Sequence, residues 1–192
     1  MRKLALSGLL LACSHVLAAP PLVAVDVGHG MQDGGAISAR GRNEFEFNRE
    51  FAGRLADTLR QHELGVREVN FDGRIASLFA RPEAAAGSDF FISIHHDSIG
   101  EAWLLPWEWE GQPQTHTEVK RGYGIFVSAQ NPDLATSLRC ASTIGALLRR
   151  AGFEPSTWHG RKHVAADAEN GVWYYDNLVV LYRTTLPAVL FE

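Results

Sequence analysis

Four residues of this chain are of the types that handle metals or protons, and each stands where an apolar run ends or a helix begins: His29, Glu44, His95 and Glu192. Two imidazoles and one carboxylate are the ligand set of many catalytic zinc sites, whose fourth position is left to water. Zinc lowers the pKa of that water to about 7. A further carboxylate near the metal, but not bound to it, can take a proton from the water and return it to a leaving amine. On this pattern His29, Glu44 and His95 are the metal-ligand candidates and Glu192 is the acid/base candidate. Asp26, on the run that carries His29, is a candidate for orienting an imidazole from behind, although a carboxylate there can equally bond nearby backbone.

The elements that would position these groups follow from the apolar spacing. Val23 to Val27 has the length and composition of a buried strand and stops at Gly28-His29-Gly30, where the glycines permit a sharp turn, with positive φ if it is needed. Groups at the carboxyl ends of strands in an open α/β sheet face the ligand crevice. Alone, His29 could simply decorate a turn. Phe47, Phe51, Leu55 and Leu59 recur every four residues, the buried stripe of a helix running from near Asn43 to about Gln61. Extended backwards, that stripe meets Glu44. The helix dipole also favours a carboxylate there, which would account for Glu44 or Glu46 without chemistry. Asp89 to Asp97 is a second apolar strand ending in histidine, and strand alternation sends His95 and Asp97 to one face and His96 to the other. Pro187 to Phe191 is a further strand and delivers Glu192.

The remaining chain reads as a βα rhythm. Gly65 closes the first helix and Val66 to Val69 is a strand. Arg74 to Ala86 fits a helix that Pro82 kinks or splits. Residues 99–121 lose periodicity and read as a surface insertion, with Trp103, Trp107 and Trp109 folding into a local mini-core in preference to lining a sugar or peptide groove. Gly122 to Ser128 is a strand, Leu134 to Ala151 a long amphipathic helix, and Leu178 to Leu181 a buried strand. Residues 154–171 carry His159, Arg161, Lys162 and His163 and read as a solvated loop rather than an anion site. The predicted fold is α/β: a single domain with a mostly parallel twisted sheet of about six strands and helices on both faces.

At 192 residues and 46% hydrophobic, the chain supports one domain, placed at residues 22–192. Residues 1–18 read as a signal peptide: basic Arg2-Lys3, an apolar stretch from Leu4 to Ala12, and small residues at Val16-Leu17-Ala18. The expectation is export, to the periplasm or cell envelope. Leu10-Leu11-Ala12-Cys13 also resembles a lipoprotein box, which gives lipidation of Cys13 as the lesser route. After cleavage at Ala18, Cys140 would be the only cysteine, so no internal disulfide is expected and Cys140 reads as a packing residue. The formal charge is −4, and losing Arg2 and Lys3 leaves about −6. With no basic stripe, nucleic acid is excluded as a partner. A monomer is expected.

The motifs together resemble the third family of N-acetylmuramoyl-L-alanine amidases, zinc enzymes of peptidoglycan. Asp26-Val27-Gly28-His29-Gly30 with Asp33-Gly34-Gly35-Ala36 is similar to the family's first ligand motif, Glu44 with Asn48 to the second, and Ile92-Ser93-Ile94-His95 to the third. Leu181-Tyr182-Arg183 with Pro187-Ala188-Val189-Leu190-Phe191-Glu192 is similar to the last. The resemblance implies hydrolysis of the amide between N-acetylmuramic acid and L-alanine, zinc as cofactor, peptidoglycan as substrate, and in some relatives an activator protein. It also implies Arg183 and Asn48 as substrate contacts. Val27 stands where the family usually has proline, and Met31 where it has glycine. The family continues past its catalytic glutamate, whereas this sequence stops at Glu192, where fraying is expected. The readings that compete are a zinc peptidase on cell-wall peptides and a non-catalytic peptidoglycan-binding protein.

Overall fold

The computed structural model describes residues 19–192; the signal-peptide reading and Cys13 lie outside them. The chain order is β1 (Leu22–Val27), α1 (Glu44–Gln61), β2 (Gly65–Val69), α2 (Ala80–Ala84) and β3 (Phe90–Ile94). A hairpin of β4 (Leu105–Trp109) and β5 (Gln112–His116) follows, then β6 (Ile125–Val127), α3 (Leu134–Arg150), β7 (Ala165–Asp167), β8 (Val172–Tyr174), α4 (Val179–Tyr182) and β9 (Ala188–Phe191). Seven strands form the main sheet in the order β2-β1-β3-β9-β6-β8-β7. The first four run parallel, β6 runs antiparallel to β9, and β7 antiparallel to β8. The expected α/β sheet is present, one strand larger than predicted.

The sheet is buried on both faces, which is why its strands read as continuous apolar runs. Val25, Val27, Ile92, Ile94, Ile125 and Val127 pack beneath α1 and α3. Ala24, Phe91, Phe126 and Leu190 face the other way, onto Val180, Leu181 and Ala85. The buried line of α1 is Phe45, Asn48, Ala52 and Ala56; of the predicted stripe, Leu55 and Leu59 pack partly buried against the same core, while Phe47 and Phe51 lie outside it. The alanines let the helix lie close to the sheet, and Phe51, 42% exposed, flanks it and stacks on Phe191 at 5.7 Å.

Three predicted elements are corrected. The Arg74 to Ala86 helix shrinks to α2, because Pro82 is its third residue, where the backbone N–H has no intrahelical partner to lose; the proline marks a start, not a kink. Leu178 to Leu181 is a helical turn, with the N–H groups of Leu181 and Tyr182 both bonded to the Leu178 carbonyl. A short apolar run does not distinguish strand from helix, and the strand slot beside β6 is filled by Val172–Tyr174. The insertion is an ordered hairpin turned by Glu110 and Gly111, both at positive φ, the geometry that matches strand twist. Trp107 and Trp109 fold down as expected, whereas Trp103 stays 47% exposed. Trp107 and Trp109 stack at 5.6 Å, the Trp107 indole donates to the Ala39 carbonyl at 2.8 Å, and Trp103 meets Trp158 edge-on.

Candidate active site

Neighbouring strands β1, β3 and β9 end at one edge of the sheet and are followed there by His29, His95 and Glu192. Parallel pairing sets this register, with Val27 opposite Ile94 and Ile94 opposite Phe191. The first turn of α1 brings Glu44 to the same edge. Its two carboxylate oxygens lie 3.2 Å from His29 Nε2 and 3.2 Å from His95 Nδ1. One ligand atom from each of the three residues falls within 4.8 Å of the others. Bonds of about 2.0–2.1 Å around a tetrahedral ion separate ligand atoms by roughly 3.3 Å, so the donor chemistry and spacing fit zinc.

The cluster is held from behind. The left-handed conformation falls on His29 itself, φ 61°, and not on the adjacent glycines. A non-glycine residue there costs about 1–3 kcal/mol and persists only when its surroundings enforce it. The enforcers are Asn70, whose amide donates to the His29 and Val27 carbonyls at 2.6 and 2.8 Å, and Arg81, which donates to the same two carbonyls. Gly28 is needed for close approach, since a Cβ there would lie 2.4 Å from the His95 ring. At Gly30 a Cβ would lie 2.6 Å from the Gly73 carbonyl.

Asp26 does not reach an imidazole. It is fully buried and bonds Arg81 at 3.1 Å and the Ser93 hydroxyl at 2.6 Å, so it supports His29 through the guanidinium. Burial pushes its carboxyl upward, against the opposing pull of Arg81 and Ser93. Asn48 is also corrected: it is fully buried, not substrate-facing. Its amide donates to the Gly28 carbonyl at 3.2 Å and to Glu44 at 3.3 Å, and its oxygen lies 2.7 Å from His96 Nδ1. Arg183 is exposed and stacks over Phe79, in a cleft that none of the four site candidates lines. The predicted alternation does not hold: β3 ends at Ile94 and the period of two ends with it, so His95 and His96 both reach α1, at Glu44 and Asn48, and His96 shares a cavity with Asp97 and Glu192.

Burial pushes the Glu44 carboxyl up, but the hydrogen bonds from His29 and His95 and the His96 N–H outweigh it, and it is held well below the usual carboxylate range. Its hydrogen bond raises the His29 imidazole, against the desolvation that lowers it. Glu192 moves the other way. Burial first, and then the neighbouring Asp97 charge, push its carboxyl up to about 8, the direction that suits proton transfer near neutrality.

A second trio lies beside the first: Asp97, His159 and Glu192 each place a ligand-type atom within 4.8 Å of the others. They line a cavity of about 220 Å³ together with Lys120. His159 is not in the solvated loop expected there: it is 5% exposed, rests edge-on against Phe126 at 4.9 Å, and is lowered to about 4 by burial. The loop's irregular spacing carries no signal for this; only the glycine at 124, where a Cβ would meet the ring at 2.6 Å, makes room for it.

The family model for N-acetylmuramoyl-L-alanine amidases matches residues 23–192. The chain belongs to that family. Its activity is hydrolysis of the amide between N-acetylmuramic acid and L-alanine in peptidoglycan. The amidase is similar in fold to an N-acetylmuramoyl-L-alanine amidase from Clostridium difficile 630, with TM-score 0.67 and 21% identity over 91% of this chain and 80% of that one. The amidase Ami1 from Mycobacterium smegmatis gives 0.70 and 18%, over 91% and 82%. The CwlD amidase from Clostridioides difficile, solved in complex with the GerS lipoprotein, gives 0.64 and 18%, over 90% and 81%. No significant match is found among curated protein sequences.

Proposed function

We propose that this amidase is zinc-dependent, that His29, Glu44 and His95 hold the ion, and that Glu192 is the acid/base. The observation that carries this reading is the convergence of two imidazole nitrogens on the two oxygens of one buried carboxylate, at the sheet edge where Glu192 emerges. Zinc there supplies Lewis-acid polarisation and a lowered water pKa. Glu44 has both oxygens in use and no proton to exchange near neutrality. Glu192, raised toward neutrality by its surroundings, takes a proton from the attacking water and returns it to the L-alanine nitrogen as the amide breaks. Asn48, Asn70 and Arg81 keep the ligands in place and exclude water from behind them.

The substrate is extracellular, and the composition of residues 1–18 supports export to the periplasm or envelope, with lipidation of Cys13 as the lesser route. The GerS complex of CwlD makes a protein partner for this amidase worth testing by co-purification. Product analysis of digested muropeptides tests the reaction. A new free α-amine on L-alanine with intact muramic acid supports it. Cleavage within the stem peptide contradicts it in favour of a zinc peptidase, and retention on sacculi with no release of peptide favours a binding protein.

A further inference from the structure

We infer that Lys120, carried by the segment between β5 and β6, is a positioning residue for the acid/base carboxylate of Glu192 and acts through Asp97. The inference rests on the reading of Glu192 given above. Asp97 follows His95 by two residues, so the end of β3 supplies both a ligand candidate and a carboxylate for the neighbouring trio. That carboxylate and the one on Glu192 belong to a group whose polar atoms lie within 4.8 Å, and whenever Glu192 gives up its proton to act as a base the two charges, so close and partly buried, repel each other strongly. His159 does not offset them: it is buried and largely neutral, and its Nε2 stands 3.6 Å from Asp97.

The Lys120 ammonium does. It forms an ion pair with Asp97 and donates to the Ser98 carbonyl at 2.7 Å. Its side chain is 11% exposed, and the Trp158 ring stands over the same ammonium at 5.9 Å. A lysine so enclosed is far from the usual solvated surface cation, and two acceptors and an aromatic ring fix it in one place. Arg121 lines the same cavity but is exposed. The β4–β5 hairpin and the strap after it thus contribute more than cover. They bring a fixed positive charge to the end of β3, neutralise Asp97, and leave Glu192 free to approach the reacting nitrogen.

The test compares muropeptide cleavage by the full chain, Lys120→Met, Lys120→Arg and the double variant Lys120→Met/Asp97→Asn. Lys120→Met should lose on the order of tenfold in kcat, a fraction of what a general acid/base supplies, with KM and zinc content little changed. Lys120→Arg should recover most of the loss. The double variant should be faster than Lys120→Met alone, because the carboxylate left unpaired has also been removed; a purely structural lysine predicts the opposite, further loss. Wild-type kcat in Lys120→Met, or a double variant no faster than the single one, overturns the inference while the amidase reading stands. A wild type that binds zinc and cleaves nothing overturns both.

Discussion

Glu192 and Gly124 exchange two backbone hydrogen bonds, each N–H donating to the other's carbonyl at 2.9 Å. On its other side the ladder continues through the His95 N–H, which donates to the Phe191 carbonyl at 2.8 Å. The residue expected to fray is therefore ladder-bonded through its own backbone, and the acid/base candidate is held in register with a ligand candidate.

Glu192→Ala should consequently leave the fold and the zinc site intact while lowering turnover on the order of 10²–10⁴-fold. His29→Ala should lose both turnover and metal. Zinc content and muropeptide hydrolysis, measured on the same preparations, separate the two; loss of zinc in Glu192→Ala would show that the carboxylate binds the ion.

Gly28→Ala puts a methyl group 2.4 Å from the His95 ring, whereas the Cβ of Gly53→Ala meets nothing within 4 Å. The first should weaken zinc binding on the order of 10–100-fold by turning a ligand out of place. The second, on an open part of α1, should leave it unchanged. Competition with a chromophoric chelator reads both, and equal affinities would mean that His95 need not hold its present orientation.

The Glu192 carboxyl titrates at about 8 in the fold against an ordinary 4.5. Between those values the native chain holds a proton that the unfolded chain has released, so native stability falls as pH rises through the window. Glu192→Gln has no such proton to lose. Its midpoint of thermal unfolding, relative to the wild type, should rise between pH 5 and pH 9 and stay level below about pH 4. A difference that does not vary with pH would rule out the buried, proton-holding carboxyl.

Arg81 and Asp26 are 3% and 0% exposed and pair at 3.1 Å. Arg81→Met leaves a buried carboxylate without its cation and removes one of the two donors to the His29 carbonyl, a loss of about 3–5 kcal/mol. Urea unfolding should show it, and Arg81→Met/Asp26→Asn should regain part of it. If the double variant is as unstable as the single one, the guanidinium matters for packing and not for charge.

The sequence carries those parts of the site that sit on periodic elements. His29, His95 and Glu192 end apolar strands and Glu44 opens a helix, so local spacing reveals all four. What supports them is not local. Arg81 lies in a stretch whose helix pattern is broken by Pro82, His159 in a polar loop and Lys120 in an aperiodic insertion, and each gains its role from residues more than 20 positions away. Asp26 and Asn48 were visible, but their partners were not; burial turned one toward a guanidinium and the other toward the backbone of Gly28. The exchange of Leu178–Leu181 for Val172–Tyr174 as a strand has the same origin, since which short apolar run pairs with β6 is decided by the sheet and not by the run.

The most direct test of the zinc site is the metal content of the purified wild-type chain, determined by mass spectrometry after removal of loosely held ions. Three protein ligands at the catalytic spacing predict about one zinc per chain, lost when His29, Glu44 or His95 is replaced by alanine. A folded wild-type chain that retains no zinc would contradict the account.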